Sequence, residues 1–536
     1  MKLIKHASAE KLRGGFYTPE PIAAFILKWG INGSSSYDIL EPSCGEGVFL
    51  KQLKEQKHKF NKITAIEFDE AEAKKADKLQ LGSKTVINTD FHLYCNETTE
   101  CFDFVVGNPP YIRYQYFDEA QQIEATKIFN KAGLKYTKLT NAWVSFVVGS
   151  SLLLKEKGKI GFVVPAEILQ VSYAQQLREF LAHFYNKINI VSFKKLVFPD
   201  IQQEVVLLLC EKNGTDSHFI EHLEITDASE LEALEVNKLQ SPQKQIDFKS
   251  NKWTFYFLQQ EEINFLETVA QKKFIPKIAD YAKVEVGITT GANNYFTVPL
   301  PVVEAYSLHE YAKPMVGRSV QVNSIVFNEE DWKRNRLTRA RTHLLIFPPK
   351  KELNRHKGAT TYISLGESVG INKGYKTGIR DDWFVVPSIK LSQALFIRRN
   401  NLYPKLILNE VGAYTTDTMH RVFVKPKTNI KAFVASFYNS LSLAFSEITG
   451  RSYGGGVLEL MPSEAGKILL PYKIGNEALL NQIDRMMRAK KPIDEILNIT
   501  NEQILKKGYG FTDKEIELAD SIWKKLSNRR LNRSKK

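Results

Sequence analysis

Asn108-Pro109-Pro110-Tyr111, in the stretch DFVVGNPPYIR, places a side-chain amide and an aromatic ring on either side of two prolines. Proline lacks the backbone N–H that continues a strand ladder, and Pro109 restricts Asn108 to an extended conformation. The turn leaves the Asn108 side-chain oxygen and the Pro109 carbonyl to accept from a planar amino group, with Tyr111 suited to stack on the attached ring. Taken alone, these residues also fit a proline turn that merely ends a strand.

Three acidic residues end the three strands predicted before this turn. Glu41 follows YDIL, Glu67 lies in AIEFDE, and Asp90 ends KTVINTD. Glu41 suits a cationic or amine-bearing ligand, and Glu67 can accept hydrogen bonds from ribose hydroxyls. Asp90 can accept from an exocyclic amine, and Phe91 beside it can cover an aromatic ring. Each acid alone could be a solvated strand end. Together they describe a nucleoside with a positive centre and no phosphate, which fits S-adenosylmethionine.

The turn after the first of these strands, PSCGEG, is built of small residues. Gly45 and Gly47 remove the Cβ atoms that would keep a ligand from the backbone. A dinucleotide-binding fingerprint would require a third glycine where Leu50 stands, which weakens that interpretation. A simple strand–helix turn is the plain alternative.

These residues depend on a sheet to bring them together. Valine-, isoleucine- and phenylalanine-rich strands that alternate with helical patterns predict an α/β fold with a mostly parallel sheet, Rossmann-like in form. The last two predicted strands have no helix between them, so we expect the sheet to end in an antiparallel hairpin. The predicted strands are 37–42, 62–68, 84–90, 102–108, 158–165, 189–195 and 204–212.

Composition divides the 536 residues into three predicted domains. A boundary falls near 241–245, after an acidic stretch with a helical pattern, so the first domain is 1–240. A mixed α+β domain at 250–475 follows, with short aromatic strands and scattered basic residues. Residues 476–536 predict helices and a basic tail.

The net charge of +14 is concentrated in the second half of the chain. Residues 1–240 hold 28 basic and 31 acidic residues, whereas 241–536 hold 46 and 29. Such asymmetry suggests a polyanionic partner, most commonly nucleic acid, and on charge alone an unspecialised basic surface is an equal alternative. The four cysteines lack a disulfide or zinc spacing, no metal site is indicated, and no apolar run is long enough for a membrane span. We therefore expect a cytoplasmic protein without a membrane partner.

The motifs FYTPEPIAAFI, LEPSCGEGVFL, AIEFDE, NTDF and NPPY, in this order, resemble those of gamma-class DNA adenine-N6 methyltransferases of the Taq-like and Eco57I-like type. The resemblance is close over residues 10–212. It implies a methyltransferase domain at 1–240, a DNA target-recognition domain at 250–475, S-adenosyl-L-methionine as cofactor and double-stranded DNA as partner. A cognate restriction endonuclease encoded separately is a possible further partner.

The resemblance also implies roles for individual residues. Asn108 and Pro109 would hold the target amine of a flipped-out adenine, in a turn completed by Pro110, and Tyr111 and Phe198 would press on the base. The sequence departs slightly from the family pattern at Ser43, Cys44 and Glu46, in a loop where the family tolerates small residues. The cofactor would be held by Tyr17, Thr18, Glu41, Ser43, Cys44, Gly45, Gly47, Glu67, Phe68, Asp90, Phe91 and Phe146, and Arg398, Arg399 and Arg421 would contact DNA.

Two other functions use the same residues. Proteins that methylate RNA or protein glutamine also carry NPPY, although they usually lack a basic domain of this size. The second alternative function is that of a DNA-binding defence subunit without turnover. The intact catalytic motif argues against it. By the family resemblance, asparagine rather than serine before Pro-Pro-Tyr implies adenine rather than cytosine as the methylated base.

Overall fold

The structure is a computed structural model that describes residues 18–31, 36–112, 116–137, 140–198, 204–234, 243–246, 248, 252–272, 274–353, 356–453 and 455–532. The chain forms two compact units, Met1–Gln260 and Glu261–Lys536.

The first unit is a nine-stranded sheet with helices between its strands. The strands are β1 Asp38–Glu41, β2 Lys62–Glu67, β3 Lys84–Asn88, β4 Phe102–Gly107, β5 Leu154–Pro165, β6 Lys187–Phe193, β7 Val205–Glu211, β8 Phe219–Ile225 and β9 Lys244–Gln245. The α-helices are α1 Glu20–Gly30, α2 Val48–Glu55, α3 Glu70–Lys78, α4 Phe91–Glu97, α5 Glu119–Lys131, α6 Ala142–Leu152, α7 Gln175–Phe184 and α8 Glu230–Ala233.

The strand order is β3-β2-β1-β4-β5-β7-β6-β8-β9. The first five strands in this order are parallel, which places the carboxyl ends of β1 to β4 at one edge. β7 inserts antiparallel between β5 and β6, so the predicted hairpin is confirmed. The sheet does not end there, because β8 pairs parallel with β6 and β9 pairs antiparallel with β8.

Acidic caps link two of the parallel strands to the helices that follow. Asp69 accepts from the backbone N–H groups of Ala71 and Glu72 and so starts α3. Asp90 does the same for α4 through His92 and Leu93. An N-cap carboxylate satisfies donors that the first helical turn leaves open. The chain therefore turns sharply at the carboxyl ends of β2 and β3.

The second unit contains three small sheets and the helices around them. The sheets have the orders β10-β19-β15-β17-β13, β11-β14-β12-β18 and β16-β21-β20. Their strands are β10 Ala282–Val286, β11 Thr297–Val298, β12 Ala312–Val316, β13 Val326–Phe327, β14 His343–Leu345, β15 Ala394–Ile397, β16 Arg399–Asn400, β17 Leu406–Asn409, β18 Tyr414–Thr415, β19 Met419–Val424, β20 Arg451–Tyr453 and β21 Val457–Glu459.

Helices begin, interrupt and end this unit, in agreement with the predicted mixed α+β region and C-terminal helices. Of the last four, α18 is strongly amphipathic, and α21 packs against α16. The helices are α9 Gln260–Lys272, α10 Ile278–Tyr281, α11 Asn293–Phe296, α12 Leu300–Ala305, α13 Glu329–Leu337, α14 Lys357–Ser368, α15 Ile430–Ser436, α16 Ser440–Thr449, α17 Pro462–Ala465, α18 Glu477–Arg488, α19 Ile493–Thr500, α20 Lys507–Tyr509 and α21 Asp513–Asn532.

Within the described ranges, no helix has the length and apolar character required to cross a bilayer.

Candidate active site

A cavity of about 660 Å³ opens at the carboxyl ends of the first four parallel strands. Glu41, Glu67, Asp90 and Asn108 all line it, one from the end of each of β1 to β4. This edge of an open α/β sheet is where ligands bind, because the loops there diverge and expose helix starts and backbone groups.

Glu41 is almost completely buried in this cavity, with 1% of its surface exposed. Its Oε2 atom has no hydrogen-bond partner among the described residues. Burial, and secondarily the nearby Glu67 carboxylate, raise the pKa of Glu41 well above its usual value. A buried carboxylate that no residue satisfies is costly until a cation or a donor reaches it. The side chain is thus prepared for a positively charged or amine-bearing ligand.

Glu67 is held from two sides by backbone amides. Its Oε2 accepts from the N–H of Gly45 at 2.8 Å, and its Oε1 accepts from the N–H of Asp69 at 2.8 Å. Gly45 and Gly47 have φ of 53° and 94°, in the left-handed region that glycine adopts without strain. Burial raises the pKa of Glu67 although these hydrogen bonds oppose the change. The remaining lone pairs of Glu67 can accept from hydroxyl groups.

Asp90 is engaged through both oxygens. Oδ1 caps α4, and Oδ2 accepts from Nε2 of Gln121 at 3.0 Å. Burial alone would raise the pKa of Asp90, but hydrogen bonding and charge from His92, with the Gln121 amide, hold the pKa below its usual value. Gln121 thus stands at the oxygen that would accept an exocyclic amine. Sequence analysis did not select Gln121, although the capping pair that it forms with Asp118 marks the start of α5.

Aromatic rings form the apolar wall of the cavity. Phe91 and Phe146 stack with their ring centroids 4.8 Å apart, and the His92 ring meets Phe146 edge-on. Phe68 is 64% exposed, so it can cover a ring that enters the cavity. The predicted Phe68, Phe91 and Phe146 all line the cavity, as do residues that sequence analysis did not select, namely Phe49, Ile112, Tyr116, Phe117 and Gln121.

Asn108 reaches the cavity together with Pro110, and the turn is fixed from both sides. The hydroxyl of Ser43 donates to the Asn108 carbonyl at 3.3 Å. The hydroxyl of Tyr111 lies 2.8 Å from Asn108 Oδ1 and 3.2 Å from the Val163 carbonyl, and both oxygens can accept its proton. Asn108 therefore lines the cavity, and its side-chain oxygen is held by the Tyr111 hydroxyl.

Three residues of the predicted catalytic set do not line this cavity. Pro109 and Phe198 are buried, and Tyr111 packs against the same apolar cluster that contains Phe198. Burial raises the pKa of Tyr111 well above its usual value, so its hydroxyl is neutral. The Tyr111 ring is not presented for stacking in this conformation.

The other predicted cofactor residues divide between the cavity and its support. Thr18, Ser43, Cys44 and Gly45 line the cavity. Burial raises the pKa of the Cys44 thiol, so it is neutral and not a nucleophile. Gly47 is not part of the lining and instead lies against Leu79. Tyr17 lies outside the described residues. Elsewhere in the described ranges, no group of three acidic, histidine or cysteine side chains is arranged to hold a metal ion.

The three predicted DNA-binding arginines have different surroundings. Arg398 and Arg399 both contact Glu459, but Arg399 keeps 68% of its side chain exposed against 24% for Arg398. Arg421 is buried and donates to the carbonyl oxygens of Val286 and Ser388. Arg399 is thus open to an external anion, whereas Arg421 holds β10 and β19 together.

Two family models match this chain. Residues 21–198 match the Eco57I restriction-modification methylase, and residues 250–505 match the C-terminal domain of type II methyltransferase M.Eco57I. Type II methyltransferase M.AccI of Acinetobacter calcoaceticus is 25% identical over 91% of this chain and 88% of its own length. M.XamI of Xanthomonas campestris pv. amaranthicola is 22% identical over 85% of each chain.

The fold also matches a solved DrdV–DNA complex with a TM-score of 0.50 at 14% identity. The match covers 90% of this chain but 58% of the DrdV chain. At this identity the likeness shows the fold alone.

Proposed function

Since the chain belongs to the Eco57I family of type II restriction–modification methylases, which use S-adenosyl-L-methionine, we propose that it is a site-specific DNA methyltransferase that methylates N6 of adenine in duplex DNA. One observation carries the proposal: Asn108 faces the same cavity as the three strand-end acids. An acceptor for a planar amine thus adjoins a set of acceptors suited to a cationic nucleoside.

The donor set fits the cofactor. We assign the α-amino group to Glu41, whose buried carboxylate needs a cationic partner. Glu67 would accept hydrogen bonds from the ribose hydroxyls. Asp90 would accept one from the adenine amine, which would either replace the Gln121 amide at Oδ2 or bind beside it. Phe68, Phe91 and Phe146 would enclose the adenine ring. When bound, S-adenosyl-L-methionine supplies a methyl group on a sulfonium, which a nucleophile can attack directly.

The target amine is a poor nucleophile because its lone pair is delocalised into the ring. Asn108 Oδ1 would accept from one of its N–H groups, which raises the electron density on nitrogen and favours a tetrahedral geometry. The Pro109 carbonyl does not line the cavity in this conformation and would accept from the second N–H after the turn adjusts to the bound base. Asn108 Oδ1 has two lone pairs, so it can keep the Tyr111 hydroxyl while it accepts from the substrate. Acceptors that are fixed before the reaction lower the barrier, because no reorganisation is needed in the transition state.

The target base must leave the duplex to reach this cavity. A stacked and paired adenine cannot present its amine at the end of a strand, so we propose that it is flipped out of the helix. In this proposal Tyr111 would leave the apolar cluster, or Tyr116 and Phe117 at the cavity would take its stacking role. The basic second half of the chain would bind the surrounding duplex, with Arg399 among its contacts.

Labelled S-adenosyl-L-methionine tests the proposal. The protein is incubated with duplex DNA, RNA or protein extract, and each product is digested to identify the labelled monomer. We expect N6-methyladenine at a defined DNA sequence and loss of label with Asn108→Ala. Asn130→Ala is the matched control, because Asn130 is an exposed asparagine of α5 that does not line the cavity, and this variant should keep the wild-type label.

Other products would overturn the proposal. Label in N4-methylcytosine would show that cytosine, not adenine, is the methylated base. Label only in RNA or in protein glutamine would show that the substrate is not DNA. DNA binding without label in any product would indicate a defence subunit. Co-purification of a separately encoded endonuclease would test the proposed partner.

A further inference from the structure

A short loop of the second unit, residues 370–381, exposes two large apolar side chains. Tyr375 is 88% exposed and Ile379 is 77% exposed. Lys373 and Lys376, on either side of Tyr375, are exposed as well. Single exposed apolar residues are ordinary on protein surfaces. Two of them on one loop, with Lys376 between them and Lys373 before Tyr375, form a small contact surface with positive charge.

The backbone of the 370–381 loop is held by its own hydrogen bonds. Thr377 is 1% exposed, and its hydroxyl contacts the carbonyl oxygens of Ile371 and Gly374. The N–H of Gly378 donates to the Gly374 carbonyl at 2.7 Å. The loop therefore presents its exposed side chains on a preorganised scaffold, which reduces the entropy lost when a partner binds.

Contacts join this loop to a second loop at residues 290–294. Arg380 donates through Nη2 to the Thr290 carbonyl at 2.7 Å. A Cβ on Gly291 would lie 3.0 Å from Cβ of Lys376, so the two loops approach closely. Asn294 in turn accepts from Arg341. The 290–294 loop thus connects the 370–381 loop to one further basic residue, Arg341.

Acidic groups near the loop have partners of their own. Asp382 accepts from the N–H of Lys350 at 2.9 Å, and Asp417 accepts from Nδ2 of Asn293 at 3.1 Å. Asp381 is exposed and adds one negative charge at the end of the loop. Within residues 370–381, three basic residues (Lys373, Lys376 and Arg380) stand against the single acid Asp381, so the loop itself favours a polyanion.

We propose that the 370–381 loop contacts duplex DNA and takes part in choosing the methylated sequence. Lys373 and Lys376 bind backbone phosphates, and Tyr375 and Ile379 meet sugars and base edges in a groove. Phosphate contacts position a protein on DNA, and contacts with base edges specify the sequence. The charge of the surface favours DNA over a protein partner. This inference rests on the proposed function and extends it to particular recognition residues.

Two pairs of variants test the two roles, with the full chain and two duplexes. One duplex carries the sequence that the wild type methylates, mapped by sequencing, and the other is a scrambled duplex of the same composition. Tyr375→Ala and Ile379→Ala should each weaken binding to the methylated sequence roughly tenfold and change binding to the scrambled duplex much less. Lys373→Gln and Lys376→Gln should weaken both equally and lower the salt slope of log K by about 0.9 each.

Matched controls are Ile474→Ala, which removes another exposed apolar side chain, and Lys431→Gln, which removes another exposed lysine. Both should bind as the wild type does, and all variants should keep the wild-type melting temperature and cofactor affinity. If the wild type binds and methylates DNA but the loop variants match these controls, the loop inference fails alone. A change in oligomeric state without a change in DNA affinity would assign the loop to a protein partner. If the wild type neither binds nor methylates DNA, the proposed function fails first.

Discussion

The Tyr111 hydroxyl lies 2.8 Å from Asn108 Oδ1, so the oxygen that we propose as the acceptor for the substrate amine already has a donor from its own motif. The same hydroxyl lies 3.2 Å from the Val163 carbonyl of β5. The aromatic residue of the motif therefore links the catalytic turn to the next strand of the sheet. Its hydroxyl has a positioning role that a ring used only for stacking would not need.

Tyr111→Phe separates positioning from stacking. It keeps the ring and removes the hydrogen bond, so we expect kcat to fall roughly tenfold with little change in KM for the cofactor. The free energy of unfolding should fall by about 1 kcal/mol. Tyr116→Phe, a change in a cavity residue that is 48% exposed, should leave both unchanged. Wild-type kcat in Tyr111→Phe would leave stacking as the only role of Tyr111.

Glu41→Gln should stabilise the protein without cofactor at neutral pH. The pKa of Glu41 is raised, so the folded protein keeps a proton that the unfolded chain releases above a pH of about 4.3. Stability from this group is therefore fully present below that pH and is lost as the pH rises through the folded-state pKa. The melting temperature of Glu41→Gln should exceed that of the wild type at pH 8, and the difference should shrink toward pH 4.

The same substitution should weaken cofactor binding roughly 10- to 100-fold, because it removes a charge-assisted hydrogen bond. Calorimetry with S-adenosyl-L-methionine measures this. Glu46→Gln removes an exposed acid from the same cavity and should change both quantities far less. If the two variants behave alike, the burial of Glu41 is not what prepares it for the ligand.

Truncation of Arg399 should reduce DNA affinity, whereas truncation of Arg421 should reduce stability. Arg399→Ala should weaken DNA binding roughly tenfold on any sequence and reduce the salt slope by about 0.9, with an unchanged melting temperature. Arg421→Ala should lower the melting temperature, because the Val286 and Ser388 carbonyls lose their donor. Binding titrations at several salt concentrations and thermal unfolding distinguish these results. Equal loss of DNA affinity with stability retained in both would place Arg421 at the DNA.

Arg530 should be critical for the C-terminal helix. It is 1% exposed, pairs with the buried Glu447 of α16 at 2.7 Å, and donates to the carbonyl oxygens of Asn401 and Gly456. Arg530→Ala leaves the Glu447 carboxylate buried without its cation, so we expect a loss of about 3–5 kcal/mol in urea unfolding.

The double substitution Arg530→Met with Glu447→Leu should recover much of that loss, because neither charge then remains buried alone. Lys524→Ala, which removes two partly exposed salt bridges from the same helix, is the control and should cost no more than about 1 kcal/mol. A double variant as unstable as Arg530→Ala would show that the carbonyl contacts, and not the charge pair, dominate.

The arrangement of Glu41, Glu67, Asp90 and Asn108 was predictable because each lies at or just after the end of a parallel strand. Strand order and direction then bring the four side chains to one edge without further information. The approach of Gln121 to Asp90 was not predictable, since it depends on how α5 packs 31 residues away. β8 was missed because Glu221, His222 and Glu224 interrupt its apolar pattern, and only its pairing with β6 makes it a strand.

The inward position of Tyr111 and the burial of Arg421 also depend on tertiary packing. A tyrosine after two prolines is compatible with an outward or an inward ring, and the Val163 carbonyl on β5 provides the partner for the inward one. Arg421 lies within β19 between β10 and β15, where neighbouring carbonyls can satisfy its guanidinium. The sequence alone does not distinguish such a buried arginine from a charged arginine on the surface.

The buried hydroxyl of Thr377 holds the backbone of the 370–381 loop, whereas the exposed side chains of the loop take no part in those hydrogen bonds. Substitutions at positions 375 and 379 need not disturb the hydrogen bonds that close the loop. New pairs of exposed side chains can therefore arise one mutation at a time on an unchanged frame. On the proposed function, such a loop can change target preference without a change in the methyl-transfer site.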